Sequence, residues 1–216
     1  MRSRGIEHDV WHRAEVDRPP RPVDDYDAVL VFGGAMHADH EERHPWLREE
    51  KRLLAGLLER RVPLLGVCLG AQLLAEAAGA PARRASRPEI GWHDVEVTDA
   101  GADDPLLAPL APRFEAFQWH SYECPLPPGA TELARSDVCL QAYRIGDSAW
   151  GIQFHAEVTP EDAEAWIDDH RSDEDAVRIG LEPDLLRRQT RGAIARWNQV
   201  GRALCARFLD AVHRSP

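Results

Sequence analysis

The sequence contains few features of membrane, secreted or nucleic-acid-binding proteins. Among its 216 residues, no apolar run approaches the roughly 20 residues that a membrane-spanning helix needs. The N-terminus lacks the apolar stretch of a secretory signal peptide. Acidic residues outnumber basic ones, 37 to 26, and the formal net charge is −11, whereas phosphate backbones and anionic lipids bind clustered Lys and Arg. We therefore expect no nucleic-acid partner and no membrane partner.

Cysteine is scarce, and its four positions form no CxxC pair. A disulfide framework is not expected at this chain length and cysteine density, so we predict a reducing, cytoplasmic location. The chain also has no Walker P-loop and no Gly-rich dinucleotide fingerprint. We expect no cofactor.

The first half of the chain alternates two kinds of pattern. Residues 27–34 and 62–67 are short apolar runs that predict buried strands, and residues 45–61 and 69–80 have helical spacing. This alternation is typical of a parallel sheet with right-handed helical crossovers. Further short strand candidates follow, separated by Gly and Pro. They are 92–98, 113–119, 130–136, 138–145 and 149–155.

The tail returns to helix. One helix is predicted from Thr159 or Pro160 to about His170, and a longer one over 183–212. The acidic stretch 168–175 is predicted to be a solvated connection. The whole pattern predicts a single α/β domain over residues 1–216, with a mostly parallel central sheet flanked by helices and an added small antiparallel region.

The strongest local motif is Gly66-Val67-Cys68-Leu69-Gly70, between a predicted strand and a predicted helix. A glycine-flanked residue at such a junction is typical of a nucleophile elbow. The helix N-terminus there favours a thiolate, and the N–H of Leu69 is placed to meet an oxyanion. An isolated cysteine is more often a buried structural residue, but the glycines and the junction favour a nucleophile. The other cysteines are interpreted as packing residues: Cys124, Cys139 and Cys205.

A thiol nucleophile requires a base and a group that orients the base. The run 151–157, GIQFHAE, offers His155 and Glu157 at the end of a predicted strand, where residues two apart point the same way. Alone, an H-x-E pair is weak evidence for a catalytic base, because a histidine at a strand end usually packs against neighbours or contacts solvent. Together with the elbow, it predicts a triad of Cys68, His155 and Glu157.

Together these segments resemble class-I, triad-type glutamine amidotransferases. GVCLGAQLLAEAAG (66–79) resembles their nucleophile segment, FGGA (32–35) their oxyanion loop and GIQFHAEVTPE (151–161) their His-x-Glu segment. RPEIGWH (87–93) and FQWHSYE (117–123) resemble glutamine-pocket segments of stand-alone members close to the amidotransferase subunit of GMP synthetase. The resemblance covers nearly the whole chain and implies a flavodoxin-like fold.

The resemblance also implies roles for individual residues. Cys68 would attack the side-chain amide of glutamine, and His155, backed by Glu157, would accept the thiol proton and later protonate the leaving ammonia. The N–H groups of Gly34 and Leu69 would form the oxyanion hole. Water would then hydrolyse the γ-glutamyl thioester.

Three further residues are predicted to bind the substrate. Gln72 lies four positions after Cys68 and shares its helix face, although a solvent-facing role is the plain alternative. Trp119 and His120 would line the glutamine pocket, partly through backbone groups, and Trp119 could equally be core. No metal ligand is predicted, although His37, His40 and His44 form an HxxHxxxH run. These histidines have no evident fourth ligand and are interpreted as a polar loop beside the active site.

The sequence departs from the family in two respects. Alanine stands at Ala35 and Ala156, where family members often have proline, so both loops lose a restriction on φ. In addition, Met1 lies almost at the segment that follows the family's first strand and helix. We expect either an upstream start or another element filling that place, and favour the upstream start.

Three functions stay open from the sequence. The first is an enzyme that hydrolyses glutamine and passes ammonia to an acceptor reaction, through a separate synthetase subunit or a homo-oligomer. The second is a hydrolase of γ-glutamyl amides or peptides without a partner, and the third is a catalytically silent protein with a binding or regulatory role. Thioesterase activity is a further alternative on fold analogy alone, and Gln72 disfavours it.

Overall fold

A computed structural model describes residues 5–16 and 18–212 of the chain. Within these residues, seven strands form one sheet flanked by six α-helices and short 3₁₀ turns. None of the described helices is long and apolar enough to cross a membrane. The strands are β1 (Val29–Val31), β2 (Leu64–Val67), β3 (Arg83–Val97), β4 (Arg113–Glu123), β5 (Thr131–Arg135), β6 (Leu140–Ile145) and β7 (Ala149–Ile152). The helices are α1 (Trp46–Glu59), α2 (Leu69–Ala77), α3 (Asp99–Ala102), α4 (Pro160–Asp168), α5 (Glu174–Arg178) and α6 (Pro183–Val212).

The strand order is β1-β2-β7-β6-β5-β3-β4. β1, β2 and β7 are parallel, and the remaining four pairings are antiparallel. The parallel part brings the end of β2, which precedes Cys68, beside the end of β7, which precedes His155. The backbone N–H of Cys68 donates to the carbonyl of Ile152 at 2.8 Å, so this pairing fixes Cys68 against the strand that leads to His155.

Side chains on the two faces of the sheet pack into two apolar clusters. Along β2, Leu64 belongs to the cluster under α1 and α2, whereas its neighbour Leu65 belongs to the cluster under α4 and α6. This division follows from the alternation of side chains along a strand. Leu54 anchors α1 in the first cluster, and Trp197 and Phe208 anchor α6 in the second. Cys68 itself belongs to the cluster under α4 and α6.

The α/β class and the helix-flanked sheet are confirmed. The antiparallel region is larger than predicted, since β3 alone spans Arg83–Val97 rather than 92–98. Pro88 lies in this strand, and the register of β3 against β4 shifts between Arg84 and Glu89. A proline interrupts a ladder and is accommodated at such irregularities, so the strand continues through Pro88, ahead of the predicted start at 92.

Two further predictions are corrected by the structure. β7 ends at Ile152 rather than near His155, so the run 153–157 is a loop. The acidic stretch 168–175 is not simply solvated, because Asp173 caps α5 and Asp175 is buried and contacts Arg84 and Arg178. The guanidinium groups of Arg84 and Arg178 compensate the buried charge of Asp175. The sequence pattern alone would place this carboxylate in water.

Candidate active site

Cys68 is held in a strained backbone conformation at the junction of β2 and α2. Its φ of 52° and ψ of −112° are rare for a residue with a side chain, and such outliers concentrate at functional sites. A Cβ at Gly66 would lie 2.6 Å from the carbonyl oxygen of Gly70, and a Cβ at Gly70 would overlap the backbone of Val31. Both glycines are therefore required by close backbone approach, as the motif predicts.

His155 and Glu157 contact each other, although they follow the strand rather than extend it. Nδ1 of His155 lies 2.7 Å from Oε1 of Glu157. Because a carboxylate only accepts, Nδ1 carries the proton and Nε2 is the ring atom available for chemistry. Nε2 is buried and makes no hydrogen bond within the described part of the chain. The base is oriented but not engaged, as is common before substrate binds.

The charge state of His155 is set by competing effects. Burial opposes the charged ring, but Cys68 and Glu157 outweigh that cost and raise the pKa of His155 from 6.5 to about 10. Proximity of the thiol contributes even though the hydrogen-bond geometry between the two groups is not formed. The site thus favours a protonated imidazole beside a sulfur nucleophile, the pairing that activates cysteine for acyl transfer.

Helix α6 holds the loop that carries His155. Nε1 of Trp197 donates to the carbonyl of His155 at 2.8 Å, and Nδ2 of Asn198 donates to the carbonyl of Val158 at 2.7 Å. A Cβ at Gly201 would overlap the carbonyl oxygen of Ala156. The loop is fixed by a helix remote in sequence, and the alanine at 156, where the family often has proline, is pinned by that helix.

The FGGA loop approaches Cys68 and His155 through its first glycine. A Cβ at Gly33 would lie 3.2 Å from Cε1 of His155 and 3.5 Å from Cβ of Cys68. Sequence analysis singled out Gly34, which faces Met36 and Leu69, and gave no role to Gly33. The glycine pair was the available signal, but which of the two lies against the triad depends on the path of the loop.

Gln72 is buried, so the solvent-facing alternative is wrong. Its Nε2 donates to the carbonyl of Tyr122 at 3.0 Å and to Oε1 of Gln153 at 3.1 Å. These bonds join the helix that begins after Cys68 to strand β4 and to the segment before His155. Contact with glutamine stays a prediction, and the observed bonds give Gln72 a definite orientation.

Trp119 is partly buried in a row of aromatic rings that reaches His155. Its ring packs edge-on against Trp166 at 5.9 Å, and Trp166 packs edge-on against His155 at 4.8 Å. Nε1 of Trp119 donates to Oδ2 of Asp173 at 2.8 Å. Sequence analysis missed Asp173, because its partner lies 54 positions away and only the acidic run marked it.

His120 lies in the interior beside Glu89. Their side chains are each 2% exposed, and Nε2 of His120 is 3.2 Å from Oε2 of Glu89. Its Nδ1 lies 2.9 Å from the carbonyl of Tyr122, the group that also accepts from Gln72. A role in the glutamine pocket through its backbone stays a prediction.

The histidine-rich loop packs over the end of β4. His37 stacks on Tyr122 with ring centroids 4.1 Å apart, and burial lowers the pKa of His37. Lys51 anchors the loop by donating to the carbonyl of Ala38 at 2.7 Å. Among the described residues, the side chains grouped like metal ligands do not include His37, His40 or His44.

The sequence profile of "Glutamine amidotransferase class-I" matches residues 1–170. The chain belongs to this family. It is 34% identical over 152 residues to the glutamine amidotransferase-like protein YfeJ of Salmonella typhimurium, covering 68% of this chain and 64% of that protein. It is 38% identical over 146 residues to a subunit of the glutamine-hydrolysing GMP synthase of Sulfolobus acidocaldarius, covering 66% and 73%. Less than two thirds of the Salmonella relative is therefore spanned.

Solved amidotransferase structures share the fold. A glutamine amidotransferase from Thermotoga maritima superposes with a TM-score of 0.84 at 30% identity, covering 97% of this chain and 89% of that one. A glutamine amidotransferase from Methylobacillus flagellatus gives a TM-score of 0.78 at 27% identity, covering 92% and 82%. The predicted family and enzyme class, a glutamine amidotransferase, are confirmed.

Proposed function

We propose that this amidotransferase hydrolyses the side-chain amide of glutamine through Cys68, His155 and Glu157, and that the ammonia passes to a separate acceptor enzyme. The observation that supports it most is the position of Gly33, where an added Cβ would contact both Cys68 and His155. Nucleophile and base therefore meet at one point, although 87 positions separate them in the sequence.

The reaction begins when the sulfur of Cys68 attacks the amide carbon and His155 holds the thiol proton. The N–H groups of Gly34 and Leu69 stabilise the oxyanion of the tetrahedral intermediate. The C–N bond then breaks, His155 protonates the departing nitrogen, and ammonia leaves a γ-glutamyl thioester on Cys68. Water attacks the thioester with His155 as base, the C–S bond breaks, and glutamate leaves with the thiol restored.

The acceptor is proposed to be a separate synthetase chain. Several relatives of this chain are named as one subunit of a glutamine-hydrolysing GMP synthase, and this sequence contains no Walker P-loop. By analogy with those relatives, activation of the acceptor by ATP is proposed to take place on a separate subunit. A homo-oligomer that encloses the released ammonia is the alternative arrangement.

The test is covalent labelling with a diazo-ketone analogue of glutamine, read as intact mass. We expect one adduct on the wild-type chain and on Cys205→Ala, which removes a partly exposed cysteine, and none on Cys68→Ala. Labelling that survives in Cys68→Ala would refute the assignment of the nucleophile. A folded wild-type chain that is never labelled would instead support the catalytically silent binding role.

Substrate preference separates the two hydrolytic functions. Ammonia release from glutamine should exceed hydrolysis of γ-glutamyl dipeptides and γ-glutamyl anilides at equal concentration. A preference for the dipeptides by about tenfold or more, equivalent to about 1.4 kcal/mol in transition-state binding, would favour a partner-independent γ-glutamyl hydrolase.

A further inference from the structure

Three side chains of metal-binding type meet in the interior of the antiparallel region. Glu89 on β3 and His120 on β4 lie directly opposite each other, and Cys139 lies in the bend that precedes β6. Their potential ligand atoms all lie within 4.8 Å of one another, and all three residues are buried. These residues carry no step of the proposed reaction, so their grouping needs another explanation.

One ring atom in this group lacks a hydrogen-bond partner. Nδ1 of His120 lies 2.9 Å from the carbonyl of Tyr122, which only accepts, so Nδ1 carries the proton. Nε2 is then the ring atom that remains for a ligand, on a side chain that is 2% exposed. It has no partner of hydrogen-bond geometry among the described residues, although Oε2 of Glu89 is 3.2 Å away. Buried polar atoms are seldom left in this condition.

Two of the three separations fit tetrahedral zinc. Zinc binds nitrogen and oxygen at about 2.0 Å and sulfur at about 2.3 Å, so a tetrahedral ion spaces N and O by about 3.3 Å and S from either by about 3.5 Å. The distance from Nε2 of His120 to Oε2 of Glu89 is 3.2 Å, and that from Sγ of Cys139 to the same oxygen is 3.5 Å. Sγ of Cys139 lies within 4.8 Å of Nε2 of His120, and an ion would hold these two atoms about 3.5 Å apart.

The surrounding contacts orient the ligands as outer-shell groups do in metal sites. A ligating histidine usually donates its second N–H to a carbonyl or carboxylate, as His120 does here. Nε2 of Gln141 donates to Oε2 of Glu89 at 2.8 Å, and Nε2 of Gln118 donates to Oε1 of Gln141 at 2.7 Å. The carboxylate is therefore fixed by a buried chain of amides.

An entry path is also present. A surface cavity of about 120 Å³ is lined in part by Glu89, His93, Ser136 and Asp137. The hydroxyl of Ser136 lies 3.1 Å from Oε2 of Glu89. The cavity thus reaches Glu89, whereas His120 and Cys139 do not line it.

We propose that Glu89, His120 and Cys139 bind a zinc ion, with a water from this cavity in the fourth position. Binding displaces the thiol proton of Cys139 to solvent, because thiolate is the ligand. The ion would join β3, β4 and the bend before β6. These three segments are distant in the sequence and meet in the fold. It would act on the fold rather than on glutamine, so the proposal does not depend on the proposed reaction.

The test uses cobalt(II) as a spectroscopic probe for zinc on the full chain after chelator treatment. Cobalt bound to a thiolate gives a near-ultraviolet sulfur-to-metal band and tetrahedral visible bands. We expect one equivalent to bind wild-type protein and Cys68→Ala alike, and Cys139→Ser to lose the sulfur band. Glu89→Gln should weaken the affinity by about tenfold or more, as loss of a metal-supporting group commonly does.

Two controls keep the outcome decisive. Zinc X-ray absorption on the wild type and on Cys68→Ala should show one sulfur at about 2.3 Å and nitrogen or oxygen at about 2.0 Å, whether or not Cys139→Ser folds. A sulfur band lost in Cys68→Ala would place the metal on the nucleophile and overturn the proposal. Failure of folded wild-type protein to bind cobalt or zinc at micromolar concentrations would overturn it too, leaving only the close contact between Glu89 and His120.

Discussion

Nδ1 of His155 lies 2.7 Å from Oε1 of Glu157, and the carboxylate is 31% exposed while the ring is almost fully buried. The exposed partner thus orients the buried one. Glu157→Gln keeps the shape of the side chain but weakens its hold on the His155 ring. We expect kcat for glutamine hydrolysis to fall on the order of 10²-fold. Steady-state ammonia release measures this. Glu161→Gln, which alters an exposed acid on the first turn of α4, should be unchanged, and equal losses in both variants would contradict the assigned role.

The pKa of His155 predicts a pH dependence of stability. The folded-state pKa is raised from 6.5 to about 10, so the charged ring contributes stability fully below about pH 6.5 and loses it as pH rises through about 10. Urea unfolding of the wild type should therefore show a declining free energy of unfolding across this window. Glu157→Gln should show a smaller decline, and identical pH profiles would count against the coupling.

Gly33→Ala tests the contact between the FGGA loop and the catalytic pair. The new Cβ would lie 3.2 Å from Cε1 of His155, which requires the ring or the loop to move. We expect labelling by the glutamine analogue to slow on the order of 10²-fold, since small misplacements have such effects. Gly56→Ala in α1, where a Cβ meets nothing within 4 Å, is the matched control. An unchanged labelling rate in Gly33→Ala would show that the loop accepts a Cβ at this position, and would contradict the prediction.

Two glycines in α6 form a matched pair for stability. Gly201→Ala would overlap the carbonyl oxygen of Ala156, whereas Gly192→Ala enters open space. We expect Gly201→Ala to lower the free energy of unfolding by about 1–3 kcal/mol and to reduce kcat. Gly192→Ala should raise stability by about 0.5–1 kcal/mol with activity intact. Chemical unfolding and ammonia release distinguish the two, and a neutral Gly201→Ala would contradict close packing.

Trp119→Phe tests whether the aromatic row serves the substrate. The change keeps a ring but removes the 2.8 Å bond to Asp173, at a stability cost of about 1 kcal/mol. If Trp119 lines the glutamine pocket, KM should rise several-fold with kcat little changed. A KM equal to that of the wild type would assign Trp119 to the core.

The parts of the site that sequence predicted are those encoded by neighbouring residues. The elbow around Cys68 needs two glycines and a strand-to-helix transition, all within five positions. The His155 and Glu157 pair was recognised although the strand ends earlier, at Ile152, because a two-residue spacing allows contact in a loop as well as in a strand. Local patterns were therefore sufficient to predict the elbow at Cys68 and the contact between His155 and Glu157.

The parts that sequence did not predict depend on distant partners. Asp173 acquires a role only when Trp119 approaches it, and Glu89 meets Cys139 across 50 positions. Strand β3 was predicted too short because Pro88 interrupts its pattern, and the register shift that accommodates the proline arises from pairing with β4. Such features are properties of the assembled sheet, which periodicity within one segment does not encode.

The contacts of α6 with the His155 loop have a consequence for the order in which the chain is made. Cys68 and His155 are both synthesised before Trp197, Asn198 and Gly201, yet these later residues hold the loop of His155. A nascent chain that has just produced Glu157 would contain Cys68, His155 and Glu157 without the helix that fixes the loop. The loop would gain these contacts only after α6 has been synthesised and has docked.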